Sequence, residues 1–336
     1  MKKFIIFSIS LLLGFSLFVW IYQQFEFKEI FFRFKFLNWR QVTVLFLLGF
    51  YRLFAWVMRW QLALKSIGYK GLSYRMLFGS RLAEMSLSYL TPGIRYGGEV
   101  IRIFVLKKKI GMPVSQGITS VVIDRLIDIT AFGVFAFLGV FILFFQKKFF
   151  IAFLFFLIGF STLFLIYLIL QLLKSNKKMD RLIKFFHLDK LNQGNNLAES
   201  FEIIKNGTLN FFKNYPKETF QGIILSCSTF LAGAIQISVF VKFLGEYCSF
   251  FNGILVKILN LFATLVPIPA GLGVFEAANI LGFQISGLSP ETGFSLTLML
   301  RFLDLILVLA GVLIILYYFT HRFFQLLTTN LKNKNN

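Results

Sequence analysis

Apolar stretches of about 20 residues recur along this 336-residue chain, the length an α-helix needs to cross a hydrocarbon core of roughly 30 Å. Residues 4–22, 42–64, 117–145, 149–173, 220–244 and 294–320 each read as one full span. The chain is 57% hydrophobic and 15% charged, too little charge to coat a soluble domain of this length. Two further apolar segments, 76–106 and 252–283, are broken midway. Thr91-Pro92-Gly93 interrupts the first and the stretch 267–273 the second. Proline lacks an amide hydrogen and disfavours helical geometry in the residue before it. A helix that enters, breaks and leaves on one side is a re-entrant hairpin, whose irregular backbone protein or a wet cavity must satisfy. The expectation is an all-α polytopic membrane protein with about six full spans plus two re-entrant hairpins, forming a single domain over 1–336.

The two broken segments carry related motifs. The first reads Pro92-Gly93-Ile94-Arg95-Tyr96-Gly97-Gly98-Glu99 and continues to Arg125-Leu126-Ile127-Asp128. The second reads Pro269-Ala270-Gly271-Leu272-Gly273-Val274-Phe275-Glu276 and continues to Arg301-Phe302-Leu303-Asp304. Each pairs a proline and a glycine-rich turn with a glutamate, then an Arg-x-x-Asp in an apolar run. Repeat one is placed at about 76–145 and repeat two at about 252–320.

Orientation follows from the distribution of Lys and Arg. Lys2, Lys3, Lys65, Lys70, Arg75, Lys107–Lys109, the polar loop 174–219 and the tail fall on one side, assigned to the cytoplasm with both termini. A short amphipathic helix is expected at 179–187 within that loop. Counting crossings then sets the two hairpins antiparallel across the bilayer, the inverted repeat that many transporters use. Met1-Lys2-Lys3 before an apolar run imitates a signal peptide, but no small-x-small cleavage site follows, so an uncleaved first span is expected.

Glu99, Arg125, Asp128, Glu276, Arg301 and Asp304 all fall at hydrophobic depth. At about 2.5–3.5 kcal/mol each, six unpaired charges would cost roughly 15–20 kcal/mol. That exceeds a usual net stability of about 5–15 kcal/mol, so they must be paired or hydrated. The plain explanation is ion pairs that lock helices together. The functional one is a polar site shared by both copies, and ionisable groups inside membranes lean that way. Gly97, Gly98, Gly271 and Gly273 serve either as turn residues with positive φ and close approach or as a source of exposed amides at half-helix starts, suited to phosphate. Glu99 and Glu276 either stabilise the helix dipole or accept a proton or an amine. Arg95 is a candidate phosphate ligand. Arg102 and Lys257 are expected to snorkel, and Asp124 either completes a network or stays solvated.

The formal charge of +20 is spread through short segments between apolar runs, which argues for anionic lipid headgroups and against nucleic acid. Cys227 and Cys248 suggest neither a disulfide framework nor a metal site, and His187 and His321 lie in basic segments; no metal and no cofactor is expected.

Pro92, Arg95, Gly97-Gly98-Glu99, Arg102, Asp124-Arg125, Asp128, Pro267, Pro269, Gly271, Gly273, Glu276 and Arg301, in that order, resemble the lysylphosphatidylglycerol synthase transmembrane-domain family, a flippase-like group that takes in UPF0104-type membrane proteins. Ala270 departs from the family, in which glycine is common there. The resemblance implies movement of a phospholipid, aminoacylated in some members, or of a lipid-linked headgroup across the inner membrane. Bifunctional members add a soluble domain that makes the lipid. This chain stops shortly after its last span, so the implied activity is transport, with a lipid-synthesising enzyme as a candidate partner. The alternative is an integral-membrane glycosyl- or acyl-transferase acting on lipid-linked substrates.

Overall fold

A computed structural model describes residues 2–26, 28, 34–35, 37–90, 98–174, 196–263, 266 and 268–334. Among the described residues the chain is helical, with no strand. Eleven α-helices follow in order: α1 Lys2–Gln23, α2 Trp39–Ser66, α3 Tyr74–Leu90, α4 Glu99–Ile110, α5 Val114–Phe145, α6 Phe149–Lys174, α7 Asn196–Asn214, α8 Pro216–Phe243, α9 Phe250–Ala263, α10 Val274–Ile285 and α11 Pro290–Lys334. A single 3-10 turn, Pro269–Gly271, precedes α10.

Local chemistry sets several of these ends. Asn38 and Gln41 form a reciprocal capping box that starts α2. Pro216 sits in the first turn of α8, where its missing amide hydrogen costs nothing. Gly111 ends α4 in the left-handed region at φ 67°.

Among the described residues, five helices are long and apolar enough to cross a membrane: Trp39–Ser66, Val114–Phe145, Phe149–Gln171, Pro216–Phe243 and Pro290–Tyr317. The first expected span lies in α1, whose 22 residues include the apolar stretch Ser8–Gln23. By contrast α4 and α10 have 12 residues each, about 18 Å of rise, well short of a crossing. The loop expected at 174–219 is corrected in part: α7 fills 19 of its residues, and Pro216 already belongs to α8. Asn206, Gly207, Asn210 and Asn214 disguise α7 as loop, because these residues are poor helix formers. Gly207 is needed where α7 crosses α5, since a Cβ would meet the Thr119 methyl. The short helix expected at 179–187 lies outside the described residues.

The bundle repeats itself, and the repeat is longer than the motifs suggested. Helices α2 and α8 both have 28 residues, and Pro216 follows Trp39 by 177 positions. Pro290 of α11 follows Val114 of α5 by 176. The unit is therefore α2–α5 matched by α8–α11. Packing obeys the same correspondence: α3 lies on α11 as α9 lies on α5, and α2 touches α5 as α8 touches α11.

The two units point in opposite directions. Along α2, Leu45, Tyr51 and Arg59 bond in turn to Gln236, Ser228 and Ser226 of α8, so the two helices run antiparallel. Phe132 meets Phe262 while Gln146 meets Asn252, so α5 and α9 are antiparallel too. The Tyr51–Ser228 hydrogen bond, 2.9 Å long between residues 177 apart, joins equivalent positions of the two units. It therefore marks their pseudo-two-fold axis.

The units are closely packed where they cross. Ser86 donates to the Val308 carbonyl at 2.7 Å, and a Cβ at Gly311 would run into the Leu82 carbonyl and the Ser86 hydroxyl. On the other side, α1 lies over the second turn: a Cβ at Gly273 would meet Leu17 and the Gly14 carbonyl.

Candidate functional site

Ionisable side chains from the first unit close into one cluster inside the bundle. It joins Arg59 of α2, Arg81 and Glu84 of α3, Glu99 and Arg102 of α4, and Asp124, Arg125 and Asp128 of α5. Four guanidinium groups face four carboxylates, so these eight residues sum to zero charge. That balance is what allows them at hydrophobic depth, where isolated ions are costly.

Asp124 sits at the centre and is fully buried. Its carboxylate receives Arg59 Nε at 2.6 Å, Arg102 Nη1 at 3.1 Å and Arg81 Nη1 at 3.4 Å. Arg59 also donates to Asp128 and, at 2.6 Å, to the Ser226 hydroxyl of α8. Glu84 holds Arg81 at 2.8 Å, Arg102 at 3.0 Å and Arg125 at 2.9 Å. Two tryptophans back the arginines: Arg102 lies 4.8 Å from the Trp60 ring and Arg81 5.2 Å from the Trp56 ring. The indole of Trp60 is fixed by a 3.1 Å bond to Ser120.

Two members open partly to the surroundings. The side chains of Arg125 and Asp128 are 20% and 25% exposed, against 10% or less for the other six. Arg125 Nη2 binds Glu99 at 2.5 Å, and its Nη1 stands 3.9 Å from Asp128. Arg125 and Asp128 are thus the members of the cluster most open to an approaching group.

The second unit is built on the same plan with fewer charges. Glu99 is matched by Glu276, Arg125 by Arg301 and Asp128 by Asp304. Gln236, Asn279 and Leu300 stand where Arg59, Arg102 and Asp124 stand in the first unit, and Asn260 takes the role of Glu84. The Arg102–Glu84 ion pair becomes a neutral 3.0 Å bond between Asn260 and Asn279. Gln236 reaches the Leu45 carbonyl at 2.8 Å across the axis, as Arg59 reaches Ser226.

Arg301 is a staple for the second turn. Its Nε binds Glu276 at 2.5 Å, Nη1 binds Tyr89 and the Ala270 carbonyl at 3.1 Å each, and Nη2 binds Glu276 at 3.0 Å and the Gly271 carbonyl at 3.3 Å. All five guanidinium donors are thereby used. Ala270 sits at φ 54°, a conformation costly for a residue with a Cβ. Arg301 on its carbonyl helps to hold it there. Gly271 and Gly273 take positive φ, as expected of turn residues.

The two clusters are linked by shared helices. Arg52 approaches Asp304 at 3.9 Å from two turns before Arg59 on α2, about 10 Å along the axis. Tyr89 reaches Arg301 from five residues beyond Glu84 on α3, about 7.5 Å. The copies thus form neighbouring stations along α2 and α3, not a single merged nest of charges.

Several expectations change on this geometry. Arg102 does not snorkel: it is fully buried, because Glu84 and Asp124 neutralise it. Asp124 joins the network. Lys257 lays its aliphatic stem across Gly233 of α8. Gly98 has φ −81°, so a left-handed turn is not its reason; a Cβ there would collide with the Glu84 carbonyl and the Ser88 hydroxyl of α3. Arg95 and Gly97 lie outside the described residues. Arg59, Arg81 and Glu84 were absent from the expected site: Arg59 lies toward the end of an apolar run, and Arg81 and Glu84, three apart on one helical face, read as interruptions of a span. The 177-residue spacing that pairs Arg59 with Gln236 is a signal that could have drawn attention to them.

The family model described as the lysylphosphatidylglycerol synthase TM region matches residues 7–311. The UPF0104 membrane protein MJ1595 of Methanocaldococcus jannaschii is 25% identical over 261 residues, covering 74% of this chain and 76% of that protein.

Proposed function

The chain belongs to the lysylphosphatidylglycerol synthase TM-region family, and from that premise we propose that it moves a phospholipid or lipid-linked headgroup across the membrane. The observation that carries the reading is the contrast between the two copies. The second shows that this packing can be achieved with Gln236, Asn260, Asn279 and Leu300, so the additional charges of the first answer to something other than packing. A buried ionic cluster adds little net stability over an apolar one of similar volume. A polar headgroup drawn into the membrane, by contrast, needs fixed charges of both signs.

In this reading the headgroup enters beside Arg125 and Asp128 while its acyl tails stay in the bilayer. Arg125 takes up phosphate oxygens, and Asp128 and Glu99 accept an amine where the headgroup has one. The oppositely directed units rock against each other about the Tyr51–Ser228 axis and expose the charged stations alternately. Both termini lie in the cytoplasm, by the distribution of Lys and Arg, and the membrane is the inner one.

Reconstitution provides the test. Vesicles containing the protein should transfer a headgroup-labelled phospholipid between leaflets and leave its mass unchanged. A new covalent product, or transfer no faster than in protein-free vesicles for every headgroup tried, would remove the reading.

A further inference from the structure

Three arginines converge on the one carboxylate of Asp124, and each is held in place by something else. Arg59 is tied to Asp128 and Ser226. Arg81 is tied to Glu84 and lies over Trp56; Arg102 is tied to Glu84 and lies over Trp60. Each of the three therefore keeps at least one partner besides Asp124. The arrangement also has more donors than Asp124 uses. Arg59 Nη2 and Arg102 Nη2 are buried and find no hydrogen-bond acceptor among the described residues, a state that is costly in a folded interior. In the second unit two of the three arginines and the carboxylate are absent together: Gln236, Asn279 and Leu300 replace Arg59, Arg102 and Asp124, while Lys257 stands where Arg81 does.

We propose that Arg59, Arg81 and Arg102 form a binding site for one phosphate monoanion of the phosphodiester class, and that Asp124 is its internal occupant, displaced when the ligand binds. The exchange conserves charge, since a singly charged phosphodiester replaces a singly charged carboxylate among the same arginines. Planar guanidinium groups suit either oxyanion. Asp124 precedes Arg125 on α5, so its withdrawal needs α5 to turn or slide against α2 and α3. Ligand occupancy is thereby coupled to movement of the helix that bears the exposed Arg125 and Asp128. The proposal rests on the lipid-transport reading for its natural ligand, but its readout is binding, which transport failure leaves untouched.

The test uses the full chain in detergent, titrated calorimetrically with glycerophosphoglycerol, a phosphodiester without acyl tails, and separately with inorganic phosphate. An internal competitor lowers apparent affinity by the fraction of time it leaves the site open, so Asp124→Asn should bind about tenfold more tightly or better. Adding Arg102→Gln to that variant should cancel the gain. Gain with glycerophosphoglycerol assigns the site to the phosphodiester of a lipid headgroup, and gain with inorganic phosphate alone would overturn the phosphodiester class. Equal affinity in wild type and Asp124→Asn, or no binding to Asp124→Asn, would overturn the proposal. Should Asp124→Asn fail to fold, recovery of monodisperse protein when either probe is present during purification supports the cage. Failure to recover it with both probes overturns the cage.

Discussion

Arg59→Leu should leave a protein that barely folds. The substitution keeps much of the side-chain volume but removes the cation shared by Asp124, Asp128 and Ser226. Asp124 would retain only its longer bonds to Arg102 and Arg81, and the nearest remaining cation to Asp128 is Arg125, at 3.9 Å. Breaking one partner out of a buried ion pair costs on the order of 3–5 kcal/mol, a large share of a typical net stability. The expected result is a steep loss of monodisperse protein, or a strongly lowered unfolding temperature in detergent. Arg59→Leu combined with Asp128→Asn should recover part of it, because the pair of changes restores neutrality. Wild-type stability for Arg59→Leu alone would mean that the cluster is hydrated, and that its charges are not balanced by one another.

Arg301→Ala should cost a comparable amount for a different reason. Here one side chain ties a turn, a helix start and a neighbouring unit together through five hydrogen bonds. Without it Glu276, fully buried, loses both of its charged contacts, and the Ala270 carbonyl loses a bond that supports a strained φ. Loss on the order of 3–5 kcal/mol is expected, from the uncompensated carboxylate alone. Arg301→Lys should recover only part of it, since an ammonium restores the charge but cannot span Glu276, Tyr89 and two carbonyls with a planar fork. Faster limited proteolysis around the second turn would report the change. An Arg301→Lys variant as stable as wild type would show that charge, and not geometry, is what the turn requires.

These residues were not equally legible in the sequence. Glu99, Arg125, Asp128, Glu276, Arg301 and Asp304 stood out because charges deep within apolar runs have few innocent explanations. The hairpins stood out because proline and glycine break a helix wherever they fall. The partners did not. Nothing local distinguishes Arg59 from an arginine at a membrane interface, or Arg102 from a snorkelling one, since what fixes them is contact with residues 18 to 167 positions away. The extent of the repeat was readable in principle. Trp39–Ser66 and Pro216–Phe243 hold the same place before each hairpin, yet share little beyond length and hydrophobicity, and apolar spans all look alike at that level. The duty of Arg301 could not be read at all, because the Arg-x-x-Asp motif does not tell which carbonyls a guanidinium reaches; what the sequence does show is a different number of charges around the motif in each copy.

That difference between the copies also gives the sharpest test. Arg59→Gln, Arg81→Lys, Glu84→Asn, Arg102→Asn and Asp124→Leu, made together, give the first unit the residues found in the second, where Lys257 follows Arg81 by the same 176 positions as Asn260 follows Glu84. Two cations and two anions are removed, so neutrality is kept, and the packing is one the chain already tolerates. Transfer of a headgroup-labelled phospholipid between the leaflets of reconstituted vesicles should then fall to the protein-free rate while the variant elutes and unfolds as wild type does. A well-folded fivefold variant that transfers lipid at the wild-type rate would show that the charged cluster is structural and that lipid movement, if it occurs, takes another route.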